Sequence, residues 1–341
     1  MSEILPRARK WAIDRVFDAG IRRSMDQVND LERRLAEKEG TVTPNADSPE
    51  RFETPQRYNE LRKERGPGEL TMMTTWDSFV GTVRNSRTIV DGLESALETE
   101  VESPRSLPEP DAFVEEFETY ARSLGASSVG YTEIEDEWVF QDNGVLYDKA
   151  VVVTMPMDED ALEEAPSAET LDHVIGSYTS LGEVVESLAE YLREHGYSAQ
   201  VGHPQMGQTH YPTLAEAANL GYRGKHRMIM TPEAGPRVRI GAIYTNVENL
   251  PFAEGNDHEW IADYCDHCNL CVRECPAEAI PEATEWDEHG RMSPIDSEAC
   301  FEEFSENYGC AVCVKVCPFN RVGYDRIHEQ YQRMQEVEGT G

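Results

Sequence analysis

The chain has 341 residues, of which 65 are acidic and 31 are basic, so its formal net charge is −34. Such an acidic surface disfavours nucleic acid and anionic membranes as partners, because both bind through basic patches. Only 6 of the basic residues are Lys. This acid-rich, Lys-poor composition predicts a halophile-type, salt-adapted surface, although an acidic protein of an ordinary cytosol is the alternative.

No stretch of the sequence approaches the roughly 18 apolar residues of a membrane-spanning helix. Arg22 and Arg23 could mark a twin-arginine export signal, but the residues after them lack the apolar segment of such a signal. We therefore expect the protein to be cytoplasmic.

Residues 1–108 are predicted to form a helical and extended N-terminal appendage without a chemical motif. Within it, residues 1–40 are predicted to be helical. The apolar residues between Val28 and Leu35 predict a charged amphipathic helix better than a core element. Residues 41–70, rich in Pro and Gly, are predicted to be an extended arm.

A second helix is predicted from Trp76 to about Glu100, and a linker follows over residues 103–110. Residues 109–257 then alternate between helical and strand patterns, which predicts an α/β unit inside a chain of the α+β class. Its helices are predicted over about 111–124, 168–195 and 213–219, and its strands over 128–134, 150–155, 198–201, 227–230 and 238–245.

All eight cysteines lie between residues 265 and 317, in two similar sets. The sets are Cys265-x2-Cys268-x2-Cys271-x3-Cys275-Pro276 and Cys300-x9-Cys310-x2-Cys313-x3-Cys317-Pro318. This is the run of bacterial-type ferredoxins, in which the fourth cysteine of each set binds the other cluster. The pattern predicts two [4Fe–4S] clusters, held by a first cysteine group (Cys265, Cys268, Cys271 and Cys317) and a second cysteine group (Cys275, Cys300, Cys310 and Cys313).

Zinc and disulfides are the competing interpretations of these cysteines. Zinc sites usually present two CxxC pairs, without a triple run or Cys-Pro endings. Disulfides need an oxidising compartment, which the expected location does not provide. We therefore predict a double [4Fe–4S] ferredoxin-like domain over residues 258–325, followed by a C-terminal tail over 326–341.

Residues 109–257 contain neither a Walker loop nor a G-x-G-x-x-G after a strand, so no nucleotide site is predicted there. The run Leu214–Thr245 (LAEAANLGYRGKHRMIMTPEAGPRVRIGAIYT) resembles a segment that reductive dehalogenases and epoxyqueuosine reductases share before a double cluster motif. The long first gap of the second cysteine set resembles the dehalogenase version. The resemblance covers about residues 110–325.

The resemblance implies a cobalamin-dependent reductase whose corrinoid lies on a nitroreductase-like unit beside one cluster. The cobalt would be reduced to Co(I) and act on the substrate from its open face. In the dehalogenases a tyrosine is the proposed proton donor, and Tyr178 and the basic Arg237 match that tyrosine and its partner. A cation near a phenol favours the phenolate left after proton donation. His203 matches a polar pocket residue of the family.

The same resemblance implies a set of corrinoid-binding residues: Gly221, Gly224, Lys225, His226, Thr231 and Pro232. Each candidate has an ordinary structural alternative. Tyr178 could be a half-buried core tyrosine, Arg237 could pair with a carboxylate, and His203 could lie on the surface. The two glycines could allow close approach to a neighbouring strand instead of a corrinoid.

Two departures from the related families affect the prediction. The Arg/Asp-rich signature of epoxyqueuosine reductases has no counterpart near residues 151–158. A D-x-H-x-x-G cobalamin motif is also absent, because Asp172-His173-x2-Gly176 has the wrong spacing. Since no fused flavin reductase domain is present, the resemblance implies a separate soluble electron donor, such as a ferredoxin or flavoprotein, and a small-molecule substrate. The alternatives are an epoxyqueuosine reductase-like enzyme acting on tRNA and a two-cluster electron carrier without a corrinoid.

Overall fold

The computed structural model describes residues 23–52, 54–66, 69–72, 75–286 and 292–338. The first 22 residues of the predicted N-terminal helix lie outside these ranges. The helices are α1 (23–36), α2 (Thr54–Arg65), α3 (Trp76–Glu98), α4 (Pro110–Ser123), α5 (Glu159–Glu163), α6 (Ala168–Glu194), α7 (Tyr211–Ala217), α8 (Trp260–Cys268), α9 (Leu270–Arg273), α10 (Ser297–Glu306), α11 (Val312–Val316), α12 (Pro318–Arg321) and α13 (Tyr324–Glu338). The strands are β1 (Ser128–Glu133), β2 (Lys149–Pro156), β3 (Ala199–Gly202), β4 (Tyr222–Arg223), β5 (Ile229–Met230) and β6 (Val238–Thr245).

Four strands form a sheet in the order β1-β2-β6-β3, and every pair in it is antiparallel. Val151 and Val153 of β2 pack on one face with α4 and α6, while Ala150 and Val152 pack on the other. Because both faces of β2 are covered, its sequence is a continuous apolar run. Such a run does not reveal strand direction. The α/β interpretation of this unit is therefore corrected: its strands form an antiparallel sheet of the α+β class.

Helix α1 belongs to the hydrophobic core, and the prediction that it is not a core element is wrong. Val28, Leu31 and Leu35 are between 0 and 4% exposed. They pack in the cluster that contains Val152 of β2 and Ile89 of α3. Arg33 and Arg34 lie on the solvent side of the same helix, whereas Glu32 is buried, so a charged sequence does not by itself mark a surface element.

Helix α2 interrupts the segment that was predicted to be an extended arm over residues 41–70. Pro55 lies in the first turn of the helix, where its missing N–H leaves no hydrogen bond unmade. Tyr58 and Leu61 are buried against Phe301 of α10. Proline content therefore suggested a linker where tertiary packing forms a helix.

Replacement of Leu61 by Ala is expected to destabilise the protein by about 2–5 kcal/mol, the usual cost of truncating a fully buried leucine. Leu61 has no exposed surface, so its loss leaves a cavity between α2 and α10. Thermal unfolding of Leu61→Ala and of the exposed-site control Lys63→Ala measures this. Equal unfolding midpoints for the two variants would contradict the packing.

The C-terminal part is helical and encloses the cysteines. The predicted tail over 326–341 begins inside α13, whose Ile327 is buried and whose Tyr331 packs near Trp260 of α8. Apolar residues at helical spacing therefore make a packed helix of most of this tail. In the described ranges, no helix is both long enough and apolar enough to cross a bilayer.

The strand predicted over 227–230 is a pair of two-residue strands, in which Tyr222 pairs with Met230. Gly221 lies directly before this pair, and a Cβ there would come within 2.2 Å of the Met230 carbonyl oxygen. At Gly224, a Cβ would come within 2.4 Å of the Met230 methyl group. Both glycines therefore permit close approach to β5, which is the alternative to a corrinoid-binding role.

Candidate active site

The structure brings the eight thiols together in the two groups that the spacing predicts. Burial raises the pKa of Cys317 to about 12, and Cys271 and Cys268 add to this rise. Burial raises the pKa of Cys300 to about 11, and the nearby Cys275 and Cys310 add to this rise. Each set thus contributes its last cysteine to the other set. Such buried thiols ionise readily only when a metal centre binds the thiolate.

Similar turns bring both cysteine groups together. Asn269, directly after Cys268, and Ala311, directly after Cys310, both have left-handed backbone angles, with φ of 51° and 63°. All eight cysteines are free of disulfides. Among the described residues, no three His, Cys, Asp or Glu side chains converge as they do around a single metal ion. A [4Fe–4S] cluster is larger, so its four thiolates do not need to meet at one point.

A cavity of about 690 Å³ lies between α6, α10 and the N-terminal segment, whose lining residues fall between Met25 and Ile89. Its size is typical of a ligand pocket. Most of its wall is apolar, from Met25, Phe52, Tyr58, Met72, Ile89, Phe140, Val174, Ile175, Met206, Ile295, Phe301 and Phe304. Cys300 of the second cysteine group also lines it, whereas no cysteine of the first group does. The cavity therefore adjoins one of the two thiol groups.

Tyr178 of α6 lines this cavity, and its basic partner is Arg239. The guanidinium carbon of Arg239 lies 4.1 Å from the centroid of the Tyr178 ring. Its Nε donates to Ser177 Oγ at 3.0 Å. In the described part of the chain, no carboxylate pairs with Arg239 and no residue hydrogen-bonds to the Tyr178 hydroxyl. The Tyr178 hydroxyl is therefore available to a ligand in the cavity.

Arg237 was predicted as the partner of Tyr178, and the structure places it elsewhere. It lies directly before β6 and donates to the Met157 carbonyl at 2.7 Å, pairs with Glu159 at 3.0 Å, and hydrogen-bonds to Asn320 Oδ1. These contacts join the sheet to the cysteine-bearing region. The cation that lies over the Tyr178 ring, Arg239, is two positions further along and inside β6.

His203 is buried next to the cavity but is not among its lining residues. Burial lowers its pKa to about 4, so its ring is neutral at neutral pH and supplies no imidazolium proton. The neighbouring Gln205, Met206 and His210 do line the cavity. The loop after β3 therefore reaches the cavity through Gln205, Met206 and His210 and not through His203.

The predicted corrinoid-binding residues do not line the cavity. Thr231 is buried in a turn in which its backbone pairs with Gly235, and Pro232 is exposed in the same turn. His226 is buried, and burial lowers its pKa to about 4. The Lys225 ammonium hydrogen-bonds to Asn269 Oδ1 at 2.6 Å. Among these residues, Lys225 contacts the loop that carries the first cysteine group.

The N-terminal segment supplies much of the cavity wall, which the sequence did not predict. Arg51 lines the cavity and forms a two-point ion pair with the buried Glu32, at 2.8 and 2.7 Å. Thr82 and Ser86 of α3 add hydroxyl groups to the wall. None of these residues forms a chemical motif, and the burial of Glu32 and its pairing with Arg51 are visible only in the structure.

The comparisons with known proteins agree with this architecture. Residues 264–320 match the family described as the 4Fe-4S double cluster binding domain. A tetrachloroethene reductive dehalogenase of Desulfitobacterium hafniense is 29% identical over 211 residues, which cover 58% of this chain and 37% of the relative. An epoxyqueuosine reductase of Listeria monocytogenes serovar 1/2a is 32% identical over 135 residues, covering 35% of this chain and 32% of the relative.

A solved structure of a catabolic reductive dehalogenase superimposes with a TM-score of 0.63 and 18% identity, over 89% of this chain and 46% of that one. The chain thus has a mixed helix and sheet fold similar to a reductive dehalogenase, with a 4Fe–4S binding domain in its C-terminal part. The predicted resemblance to reductive dehalogenases and epoxyqueuosine reductases is confirmed. The chain spans only about a third of the length of these curated relatives.

Proposed function

We propose that the chain is a corrinoid-dependent iron–sulfur oxidoreductase of the reductive dehalogenase type. The observation that carries the proposal is the cavity in which Tyr178 and Cys300 share one wall. A proton donor and an electron entry point would then act on the same ligand-filled space. The relatives that resemble the chain over 58% of its length are dehalogenases by name, which supports the same activity.

The cavity residues fit a corrinoid. Gln205 Oε1 is buried in this wall without a hydrogen-bond partner among the described residues. A buried, unpaired amide oxygen is costly, and the side-chain amides of a corrinoid could donate to it. Thr82, Ser86 and Gln205 would hold those amides, and the apolar wall would cover the ring. When bound, the corrinoid would supply a reducing cobalt centre.

Within this proposal, Tyr178 is the proton donor. Its Oη, half-buried at the cavity, would transfer a proton to the substrate and retain a negative charge. The Arg239 guanidinium over the ring stabilises that charge, because the partly buried site weakens solvent screening. The apolar wall keeps water from competing for the proton.

The two cysteine groups are proposed to hold one [4Fe–4S] cluster each. The second group meets the cavity through Cys300, so its cluster would deliver single electrons there. The cluster of the first group would receive them from a soluble ferredoxin or flavoprotein. A cytoplasmic location and a small organohalide substrate complete the proposal.

The activity test is halide release by the protein loaded with iron, sulfide and cobalamin under anaerobic conditions. Tetrachloroethene and 3-bromo-4-hydroxybenzoic acid are suitable first probes, because they appear with dehalogenases that resemble this chain. Reductant-dependent chloride or bromide release is expected. No release from a fully loaded protein across an organohalide panel would contradict the dehalogenase activity.

Arg239→Met is expected to lower kcat by at least about tenfold with little change in the unfolding midpoint, because it removes the cation over the Tyr178 ring. Arg237→Met is the matched control. It removes the contacts to Met157, Glu159 and Asn320, so its unfolding midpoint should fall while kcat of the folded protein is retained. If Arg237→Met lowered kcat and Arg239→Met did not, the catalytic role would belong to Arg237.

Epoxyqueuosine reduction in tRNA is the second candidate function, supported by 32% identity over 135 residues to a named epoxyqueuosine reductase. The net charge of −34 disfavours it, since tRNA binding needs basic surface. A filter-binding titration with a tRNA anticodon stem-loop distinguishes the two functions. Specific binding at working salt would favour the tRNA-modifying activity.

A further inference from the structure

One lysine ammonium is enclosed by the loop that carries the first three cysteines. Lys225 is 3% exposed. Its Nζ donates hydrogen bonds to Asn269 Oδ1 and to the Glu282 carbonyl oxygen, both at 2.6 Å. Since Asn269 lies between Cys268 and Cys271, the ammonium is held inside the run of the first cysteine group.

The only carboxylate that pairs with Lys225 in the described ranges offsets its charge in part. Asp266 Oδ1 lies 3.1 Å from the Lys225 Nζ, but the Asp266 side chain is 48% exposed. Water screens an exposed carboxylate more strongly than a buried ammonium. The backbone N–H of Lys225 also donates to the Cys265 sulfur. The charge of the buried Lys225 ammonium is therefore only partly offset, and it acts on the first cysteine group.

A second cation, Arg227, adds to the positive charge near the first cysteine group. The guanidinium of Arg227 donates to the Lys225 carbonyl at 2.9 Å and to Ser293 Oγ at 3.2 Å. No carboxylate pairs with it in the described part of the chain. In the second cysteine group, the carboxylates of Asp296 and Glu303 act on Cys300. The cation in that run, Lys315, is half-buried and donates to the Ala165 carbonyl oxygen at 2.8 Å.

We propose that Lys225 raises the reduction potential of the cluster on the first cysteine group above that of the cluster on the second group. Reduction adds a negative charge to a cluster, and a nearby buried cation stabilises that reduced form. The cluster away from the cavity would accept the first electron. Its transfer to the lower-potential cluster beside Cys300 would run against this potential difference and would be drawn forward by consumption of the electron at the cavity. The inference rests on the two clusters of the proposed function. In it, Lys225 adjusts the reduction potential of one cluster and does not touch the substrate.

The test is a redox titration of the iron-loaded protein, followed by electron paramagnetic resonance. In Lys225→Met, the higher of the two midpoint potentials is expected to fall while the lower one stays. The expected change in the reduced-to-oxidised ratio is about tenfold, or about 59 mV for a one-electron couple. Lys225→Arg should keep most of the potential. Lys149→Met is the control, since that ammonium pairs with Glu133 and Asp148 on the sheet.

Unchanged potentials in Lys225→Met with full iron content would overturn the inference, as would a fall in the lower potential alone. If this variant fails to hold iron, Asp266→Asn gives a second measurement. Removing that exposed carboxylate should raise the higher potential, and no shift would overturn the inference. A wild-type protein that binds only one cluster would instead contradict the proposed function.

Discussion

Removing Cys265 together with Cys317 is expected to leave one intact cluster, whereas removing Cys265 together with Cys275 should remove both. The first pair belongs to one cysteine group, so the Cys265→Ala/Cys317→Ala protein should retain about four irons of about eight. The second pair takes one ligand from each group. Electron transfer to the cavity should be abolished in both variants, because the chain of two clusters is broken.

The two double variants are matched, since each removes two thiols and differs only in the second position. Structural support for the crossed groups comes from Cys317, whose pKa is raised by burial and by the nearby thiols Cys271 and Cys268 of the first set. Iron and acid-labile sulfide analysis of the purified proteins measures the outcome. If the ligands followed the chain order, the two variants would exchange their iron contents, and that result would contradict the crossed arrangement.

Tyr178→Phe is expected to lower turnover by about 10²–10⁴-fold while iron and cobalt contents stay unchanged. The substitution removes only the hydroxyl that would give the proton, and general acid catalysis typically contributes this factor. Turnover is followed as halide release with a chemical reductant, so that the natural electron donor is not required. The metal contents show whether the cavity and clusters are intact.

Tyr191→Phe is the matched control for this variant. Tyr191 lies on the same helix, thirteen residues further on, in an aromatic cluster with Phe113 and Phe117 away from the cavity. Its turnover should equal that of the wild type. Full activity in Tyr178→Phe would remove Tyr178 as the proton donor and return it to an ordinary half-buried tyrosine.

Much of the fold follows from periodicity in the sequence. The long helix was predicted over 168–195 and is Ala168–Glu194, and the strand predicted over 238–245 is Val238–Thr245. The helix has an apolar face that repeats over 27 residues. The strand is apolar over most of its length because both of its faces are covered. Helix α2 was missed because its apolar positions are few and its first turn contains Pro55. Its stability depends on Phe301, more than two hundred residues away.

The site, like the fold, has a part that the sequence predicts and a part that it does not. The cysteines were predictable because their spacing carries the chemistry of the cluster. Sequence similarity locates a basic run that includes Arg237, but it does not show where the strand begins. Side chains two residues apart in a strand share a face, so alternation does not separate Arg237 from Arg239. Only the structure shows that Arg237 precedes β6 and that Arg239, inside β6, lies over the Tyr178 ring.

The cavity wall from the N-terminal segment could not be predicted. Its residues, including Phe52, Thr82 and Ser86, are ordinary apolar or hydroxyl side chains from two helices and a loop. They converge only because α3 packs along α6 and α2 packs on α10. The appendage without a motif thus forms much of the proposed corrinoid site.

We propose that this cavity holds a corrinoid beside the second cysteine group. The most direct test is a count of iron and cobalt on protein purified anaerobically after growth with cobalamin. About eight irons and one cobalt per chain are expected, with the corrinoid visible in the optical spectrum. About eight irons with no cobalt, after loading with cobalamin as well, would contradict this proposal and indicate a two-cluster electron carrier.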